Sequence, residues 1–287
     1  MSKRHLLVAL ALAVLVPSAA PSATAQSPEP ASRQPTEAQG NDTLRITGSS
    51  TLAPLIAELA QRFQATRPGV HITVQAGGSN HGIADALAGR ADIGMSSRGL
   101  KPEEQNDLFA ITIGRDAVAF VVHRDNRVRA ITRAQVAAIL QGRVTSWKAL
   151  GGKDAPIKVV SRPPSHSSLE IVADYAGLKP EEIKAAIVAG DNAEVLAAVL
   201  DHPDALAFVS LGAALDLVQH GMPIALLAVD GVPATSAALR AGRYPLSRTL
   251  NLVTRQVPTG LARSFIEYVC APSQRGFIED KDFVPYQ

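Results

Sequence analysis

A run of hydroxyl-bearing residues, Thr47-Gly48-Ser49-Ser50-Thr51, stands between a short apolar, strand-forming segment and a helical pattern. Apolar residues from Leu52 to Phe63 recur at the spacing of one helix face. A strand, a glycine turn, hydroxyls and a helix start can together collect an anion. The first amides of a helix lack intrahelical partners, and the dipole makes that end partly positive. Ser50 and Thr51 are candidate donors, although either could simply cap the helix.

Hydroxyl-rich turns recur three more times, each after a predicted strand. The second turn is glycine-rich and contains Ser79, and the third is Ser96-Ser97-Arg98. The fourth is Ser161-Arg162-Pro163-Pro164-Ser165-His166-Ser167-Ser168. In open α/β sheets, ligands bind beyond the carboxyl ends of the strands. The four turns can therefore converge on one ligand if two such sheets face each other across a cleft.

Two arginines accompany these turns. Arg162 offers a bidentate fork suited to a tetrahedral oxyanion, and a buried unpaired arginine is costly without one. The alternative for Arg162 is a surface ion pair with a nearby acid. Arg98 has the same two interpretations, because Glu103 and Glu104 are close enough in sequence to pair with it.

The N-terminal residues have the features of a targeting segment. Two basic residues precede the apolar run Leu6–Val16, and the small residues Ala23-Thr24-Ala25 follow. This pattern is typical of a secretory signal peptide with an A-x-A cleavage site. We predict a signal peptide over residues 1–25 and a disordered leader, rich in Pro, Gln, Ser and Glu, over residues 26–42.

Composition narrows the remaining function classes. The chain has 287 residues, 46% of them apolar, and no later stretch is long enough for a membrane helix. Its only cysteine, Cys270, lies far from the signal, so we expect neither a disulfide nor a lipid anchor. Without residues 1–25 the basic residues fall from 28 to 26 and equal the 26 acidic ones. A neutral chain with few aromatics gives no case for nucleic-acid binding. We expect an exported, soluble protein, most simply periplasmic, with secretion as the alternative.

Short strands alternate with helices throughout, which predicts an α/β class with mostly parallel sheets flanked by helices. Beyond this pattern, residues 43 to 285 resemble the PstS-like group, the phosphate-binding receptors of bacterial ABC importers. Each motif is weak alone, but their order and spacing are fairly specific. The motifs are Gly48-Ser49-Ser50-Thr51, Gly78-Ser79, Asp92-Ile93-Gly94, Ser96-Ser97-Arg98, Asp116–Val122, Ile139-Leu140-Gln141-Gly142 with Trp147, Val160-Ser161-Arg162, Ala205–Val209 and Tyr244-Pro245-Leu246-Ser247-Arg248.

The resemblance implies a two-lobed type II periplasmic binding protein whose chain crosses between the lobes twice. The crossings are expected near Val118–Val122 and near Leu246–Leu252. Lobe one is then 43–118 plus 250–287, and lobe two is 119–249. The ligand implied is inorganic phosphate, held between the lobes of a monomer and passed to an ABC permease in the inner membrane.

By the same resemblance, ligand groups fall at Thr51 with the amide of Leu52, at Ser79, at Ser97 and at Arg162. The full predicted set of binding residues is Ser50, Thr51, Leu52, Ser79, Ser97, Arg98, Arg162, Ser165, His166, Ser167 and Ser168.

The chain departs from the family pattern at two places in this set. Well-studied members place an aspartate where Ser97 stands, and that aspartate accepts the phosphate proton and so excludes sulfate. A family Ser-Gly-Thr is replaced here by His166-Ser167-Ser168, or by Ser165-His166-Ser167 with a gap. The missing glycine puts close backbone approach to the ligand in doubt.

Other functions remain as alternatives. The receptor could take another tetrahedral oxyanion, such as sulfate, or could serve sensing or scavenging without transport. Ser165 and His166 could belong to a phosphatase or esterase, but adjacent residues on one loop rarely form a nucleophile–base pair. The histidines are scattered, so we expect neither a metal site nor a cofactor, and no enzyme.

Overall fold

The computed structural model describes residues 42–286. The predicted signal peptide 1–25 and the leader up to residue 41 lie outside these residues. The predicted leader ends one residue late, because Asp42 already begins the first strand. The strands are β1 (Asp42–Gly48), β2 (Val70–Ala76), β3 (Ile93–Ser96), β4 (Phe109–His123), β5 (Ala130–Ile131), β6 (Lys158–Ser161), β7 (Ile187–Val188), β8 (Ala205–Ser210), β9 (Ile224–Leu226), β10 (Ala228–Val229), β11 (Ser247–Thr254) and β12 (Val284–Pro285).

The helices begin mostly at the carboxyl ends of these strands. They are α1 (Ala53–Ala65), α2 (Ser79–Leu87), α3 (Arg133–Leu140), α4 (Ser167–Ala176), α5 (Asn192–Asp201), α6 (Leu211–Gln219), α7 (Ser236–Arg240), α8 (Gly260–Cys270) and α9 (Arg275–Glu279). The alternation confirms the predicted α/β class.

The main sheet has the strand order β2-β1-β3-β11-β4-β8-β6-β7, and β9 and β12 also pair with β4. Pairing is parallel at both ends of this order, among β2, β1 and β3 and among β8, β6 and β7. It is antiparallel in the middle, where β11 pairs with β3 and β4, and β4 pairs with β8. The predicted parallel arrangement thus describes the two outer parts of the sheet, which β4 and β11 join.

Separate apolar cores lie on the two sides of this junction. One contains Ile46, Phe63 and Phe265, packed among β1, α1 and α8. Another contains Phe120 and Phe208, and nearly all its buried members lie between residues 117 and 246. This segregation supports the predicted lobe boundaries, which remain a prediction.

The site depends on three places where a parallel strand runs directly into a helix. These are the connections from β1 to α1, from β2 to α2 and from β6 to α4. Gly48, in the first, has φ +130°, and a Cβ there would lie 2.3 Å from the carbonyl oxygen of Met95. Only glycine permits this close contact between the first turn and β3. β6 runs opposite to β1 and β2, because three antiparallel pairings, β3 with β11, β11 with β4 and β4 with β8, separate them. The carboxyl ends of the two parallel parts of the sheet therefore point toward each other, and the helices that follow them start near one place.

Candidate anion-binding site

A small cavity lies where the predicted turns meet. Seven hydroxyl residues, two arginines, a histidine and a glycine surround it. The lining residues are Ser49, Ser50, Thr51, Gly78, Ser79, Ser97, Arg162, His166, Ser167, Ser168 and Arg248.

Four serine hydroxyls from four different turns form the centre of this lining. Ser49 Oγ donates to Ser97 Oγ at 3.0 Å, and Ser79 Oγ donates to Ser167 Oγ at 3.1 Å. Ser97 Oγ also lies 3.2 Å from Ser79 Oγ and 3.0 Å from Ser167 Oγ. All four side chains are buried. Since a hydroxyl both donates and accepts, this cluster can turn its protons toward an anion.

Helix starts add fixed donors at the same place. Ser79 is the first residue of α2, and Ser167 is the first residue of α4. The amides of a first helical turn have no partner within the helix and carry partial positive charge. Both helices therefore contribute to an environment that favours a buried anion.

Arg248, from β11, is one of the two guanidinium groups of the site. Its Nη2 donates to Thr51 Oγ1 at 2.9 Å, and its Nη1 lies 3.4 Å from Ser167 Oγ. On its other side, Nη2 and Nε donate to Asp116 Oδ2 at 2.7 and 3.1 Å. Asp116 is fully buried and also accepts from Ser210 Oγ at 2.9 Å. The charge of Arg248 is therefore balanced within the protein, and its orientation is fixed.

Arg162, which follows β6, is the second guanidinium group and is bound differently. Its Nη1 donates to Asn192 Oδ1, and its Nη2 donates to Gly190 O and Ser50 Oγ, at 3.0 to 3.2 Å. All three acceptors are neutral, and Nε is buried without a partner. Within residues 42–286, Arg162 makes no ion pair, although its exposed fraction is only 3%. Burial, followed by the charge of Arg248, lowers the pKa of Arg162 to about 10. The negative charge of a bound anion would offset both the cost of burying the guanidinium and its repulsion by Arg248.

His166 contributes an uncharged ring to the lining. Burial, followed by the charge of Arg162, lowers the pKa of His166 to about 4. The imidazole is therefore neutral at neutral pH. Its Nδ1 lies 3.1 Å from Ser165 Oγ, so the two adjacent side chains hydrogen-bond each other. Ser165 itself is not part of the cavity lining.

The lowered pKa of His166 predicts that the ligand-free protein becomes less stable as the pH decreases. The unfolded chain takes a proton on His166 near pH 6.5, whereas the folded protein takes it only near pH 4. The free energy of unfolding is therefore not reduced by His166 above about pH 6.5, and it declines from there toward pH 4. At about 1.4 kcal/mol per pKa unit, the loss approaches about 3 kcal/mol at pH 4.

This slope is measured by urea unfolding of the wild type and of His166→Gln between pH 7.5 and pH 5. We expect the variant to lose less stability on acidification than the wild type. The exposed His71 on β2 gives the matched control, because His71→Gln removes an imidazole that is not buried. Equal slopes for wild type and His166→Gln would contradict the prediction.

Three residues of the predicted set do not line the cavity. The amide of Leu52 donates to Ser49 O and, at 3.3 Å, to Ser49 Oγ, while its side chain lies in the core. Ser165 hydrogen-bonds His166, as described above. The Arg98 guanidinium donates to both carboxylate oxygens of Glu104 at 2.8 Å, which is the ion pair that sequence left open as its alternative.

Conversely, three lining residues are absent from the predicted set: Ser49, Gly78 and Arg248. Ser49 stands in the first hydroxyl run, and only its position in the turn separates it from the residues chosen. Arg248 has no helix start beside it in sequence, although the hydroxyl residues Ser247 and Thr249 flank it. Its one indication was the Tyr244–Arg248 motif of the resemblance.

Within residues 42–286, no cluster of histidine, cysteine, aspartate and glutamate side chains has the arrangement of a metal site. No helix among these residues has the length and apolar character needed to cross a bilayer.

Comparison with known proteins places this chain in a family. Residues 33–273 match a family model described as the PBP superfamily domain. The chain is 29% identical to the phosphate-binding protein PstS of Bacillus subtilis over 255 residues, which cover 87% of this chain and 82% of that protein. It is 27% identical to the phosphate-binding protein PstS of Borreliella burgdorferi, over 83% of this chain and 88% of that protein.

Solved structures agree with these relatives. A Clostridium perfringens protein assigned as a phosphate ABC transporter substrate-binding protein, with bound phosphate, superposes with a TM-score of 0.79 at 28% identity. That superposition covers 86% of this chain and 100% of the other. An ABC-type phosphate transport receptor from Vibrio cholerae gives a TM-score of 0.70 at 28% identity, over 85% of this chain and 100% of the other. The predicted type II periplasmic binding protein fold is therefore confirmed, and the chain belongs to the PBP superfamily, with PstS phosphate-binding proteins among its relatives.

Proposed function

We propose that this protein captures inorganic phosphate in the cavity and delivers it to an ABC-type permease. The observation that carries the proposal is Arg162, a buried cation that makes no ion pair within the described chain and faces a lining of hydroxyls, although the charges of Asp191 and Glu194 act on it from a distance. An anion is the group that satisfies such a guanidinium. A tetrahedral oxyanion also uses its fork geometry and the surrounding donors. The name PstS of the relatives and the phosphate bound in the Clostridium perfringens structure support the same ligand.

The number of donors is sufficient for tight binding. Hydrogen bonds to charged groups contribute roughly 1.5–3 kcal/mol net each. Five or six of them, after desolvation of the dianion and closure of the lobes, leave about 8 kcal/mol, which corresponds to micromolar affinity. The two guanidinium groups and the serine cluster supply at least that many donors.

The proposal also includes the lobe organisation, the location and the partner of the protein. Two lobes, 43–118 plus 250–287 and 119–249, hold the ligand between them, which the separate apolar cores support. The protein acts as an exported monomer in the periplasm, without a lipid anchor, and its partner is the permease of the inner membrane. Delivery to a permease is supported by the transport role in the names of the similar structures.

A second candidate ligand, sulfate, is favoured by one observation. No carboxylate is among the residues of the described chain that line the cavity. A carboxylate acceptor would repel sulfate, which has no proton to donate at neutral pH, and Ser97 offers a hydroxyl that can donate instead. The buried carboxylate of Asp116, which contacts the lining residue Arg248, already accepts from Arg248 and Ser210. The cavity therefore lacks a group that rejects sulfate by its charge.

Binding rather than catalysis fits the arrangement of Ser165 and His166. The two side chains hydrogen-bond, but Ser165 does not line the cavity, and the low pKa of His166 makes it a weak base. Receptors of this kind bind and release an unchanged anion, and we infer no enzymatic activity. Turnover of a generic phosphomonoester above background at micromolar enzyme would contradict that inference.

Isothermal calorimetry of the phosphate-free protein with phosphate, sulfate, arsenate and molybdate tests the proposal. We expect micromolar or tighter binding of phosphate, with sulfate within about tenfold of it, since a factor of ten is only about 1.4 kcal/mol. Absence of heat with every tetrahedral oxyanion would overturn the function. Binding of phosphate with rejection of sulfate would exclude the second candidate alone.

A further inference from the structure

Arg98 is nearly buried beside the cavity but does not take part in its lining. Its two terminal nitrogens each lie 2.8 Å from an oxygen of Glu104, and Nη1 also donates to Gly99 O. Nε and Nη2 donate to Asn80 Oδ1 at 3.0 and 2.8 Å. These partners come from residues 80–104 and hold the guanidinium in one orientation.

One further contact of Arg98 comes from a distant part of the chain. Glu170 Oε2 lies 3.1 Å from Arg98 Nε, and Glu170 Oε1 pairs with Lys101 Nζ. Glu170 stands in the first turn of α4, in the predicted lobe two, whereas Arg98 and Lys101 stand in the predicted lobe one. The Nε hydrogen is directed at Asn80, so the contact with Glu170 is an ion pair rather than an aligned hydrogen bond. One carboxylate of lobe two thus faces two cations of lobe one.

Close contacts also join α2 to the loop that precedes α4. The amide of Asn80 donates to Ser165 O at 3.0 Å, and its side chain donates to Pro164 O at 2.9 Å. A Cβ at Gly78 would lie 2.3 Å from Ser165 O. Here α2 and the loop before α4 are therefore in direct contact, and Glu170 adds charge attraction to that contact.

We propose that Glu170 is a positioning residue for the ligand. Through its ion pairs with Arg98 and Lys101, Glu170 holds α4 against lobe one. This inference rests on the proposed phosphate-binding function. Ser167 lies one helical turn before Glu170 and lines the cavity, so fixing Glu170 also fixes a ligand-facing hydroxyl. A contact made only when the lobes are together favours the binding-competent state and raises the apparent affinity by the same factor. Glu170 therefore sets how firmly phosphate is retained without touching it.

The test compares phosphate binding by the wild type, Glu170→Gln and Glu103→Gln. Glu170→Gln keeps the size of the side chain and removes the charge that attracts both cations. Glu103→Gln removes an equal charge near Arg98 from an exposed side chain in lobe one, which makes it the matched control. We expect phosphate to dissociate about tenfold faster from Glu170→Gln at low salt, and at the wild-type rate from Glu103→Gln.

Two further measurements separate positioning from a general loss of structure. The thermal midpoint of the phosphate-free Glu170→Gln protein should match that of the wild type, because the ion pair joins the lobes rather than stabilising either core. The difference in dissociation rate should shrink as salt is raised from 50 mM to 0.5 M, because screening removes the same attraction.

Equal dissociation rates for wild type and Glu170→Gln at low salt would overturn the inference and leave the proposed function intact. A fall in the phosphate-free midpoint that accounts for the weaker binding would overturn it as well. Failure of the wild type itself to bind phosphate would be a failure of the proposed function, and this result is recognisable before any variant is measured.

Discussion

Arg162→Gln is expected to abolish phosphate binding while leaving the ligand-free protein as stable as the wild type. Two charged hydrogen bonds to the ligand, at roughly 1.5–3 kcal/mol each, are removed, which predicts a loss of about a thousandfold in affinity. The buried charge is removed as well. Because burial lowers the pKa of Arg162 from 12.5 to about 10, holding that charge costs about 3 kcal/mol in the free protein.

That gain offsets the three hydrogen bonds which Arg162 gives to Asn192, Ser50 and Gly190, each worth about 1 kcal/mol. Urea unfolding without phosphate should therefore give the variant the wild-type free energy within about 1 kcal/mol. Calorimetry with phosphate gives the other half of the result. A strongly destabilised variant would contradict the view that Arg162 is held in place for an anion rather than for the fold.

Arg248→Gln is expected to destabilise the protein as well as to weaken binding. Asp116 is fully buried and receives two bonds from Arg248, so the substitution leaves a buried carboxylate without its cation. Breaking a buried pair by removing one partner costs about 3–5 kcal/mol. For a chain of this size, that lowers the thermal midpoint by roughly 10 °C. The midpoint of the phosphate-free protein measures the effect directly.

A second substitution distinguishes the lost charge balance from lost packing. Asp116→Asn in the Arg248→Gln background removes the unpaired carboxylate, and its amide can still hydrogen-bond Ser210. We expect the double variant to recover most of the lost midpoint but none of the lost phosphate affinity. If the double variant is no more stable than Arg248→Gln alone, the buried carboxylate is not the cause of the instability.

Local sequence patterns were sufficient for most of the fold. Apolar spacing predicts a helix after Thr51 and another from about Thr132 to Gln141, and both occur. α1 begins at Ala53 without a capping side chain, whereas α3 follows the cap that Thr132 provides. The sequence also predicts a helix around residues 179–189, and this prediction is wrong. A short 3-10 turn, Pro180–Glu182, and the strand β7 stand there, because Ile187 and Val188 pair with β6. The helix α6 was missed because β8 ends at Ser210 and α6 begins at the next residue, with no turn residues between them.

The candidate site divides in the same way. The strand–turn–helix pattern identifies Thr51, Ser79 and Ser167, since each stands beside a helix start. Arg248 comes from the interior of a strand instead, and it faces the cavity because β11 pairs with β4 in the register that sets Arg248 opposite Asp116. Long-range register of this kind is fixed by tertiary packing and cannot be inferred from local pattern. Arg98 is the opposite case. Its sequence motif predicts a ligand-binding residue, but in the structure its guanidinium pairs with the neighbouring carboxylate of Glu104.

The position of β11 between β3 and β4 has a consequence for the order of folding. Until residues 247–254 are synthesised, β3 is paired only with β1, and the first half of β4 lacks its β11 neighbour. The backbone amides and carbonyls along those two open edges stay unpaired. Such strand edges favour association between chains. The N-terminal strands therefore remain vulnerable to aggregation until the far end of the polypeptide arrives, and a chain truncated before Ser247 should be prone to aggregate.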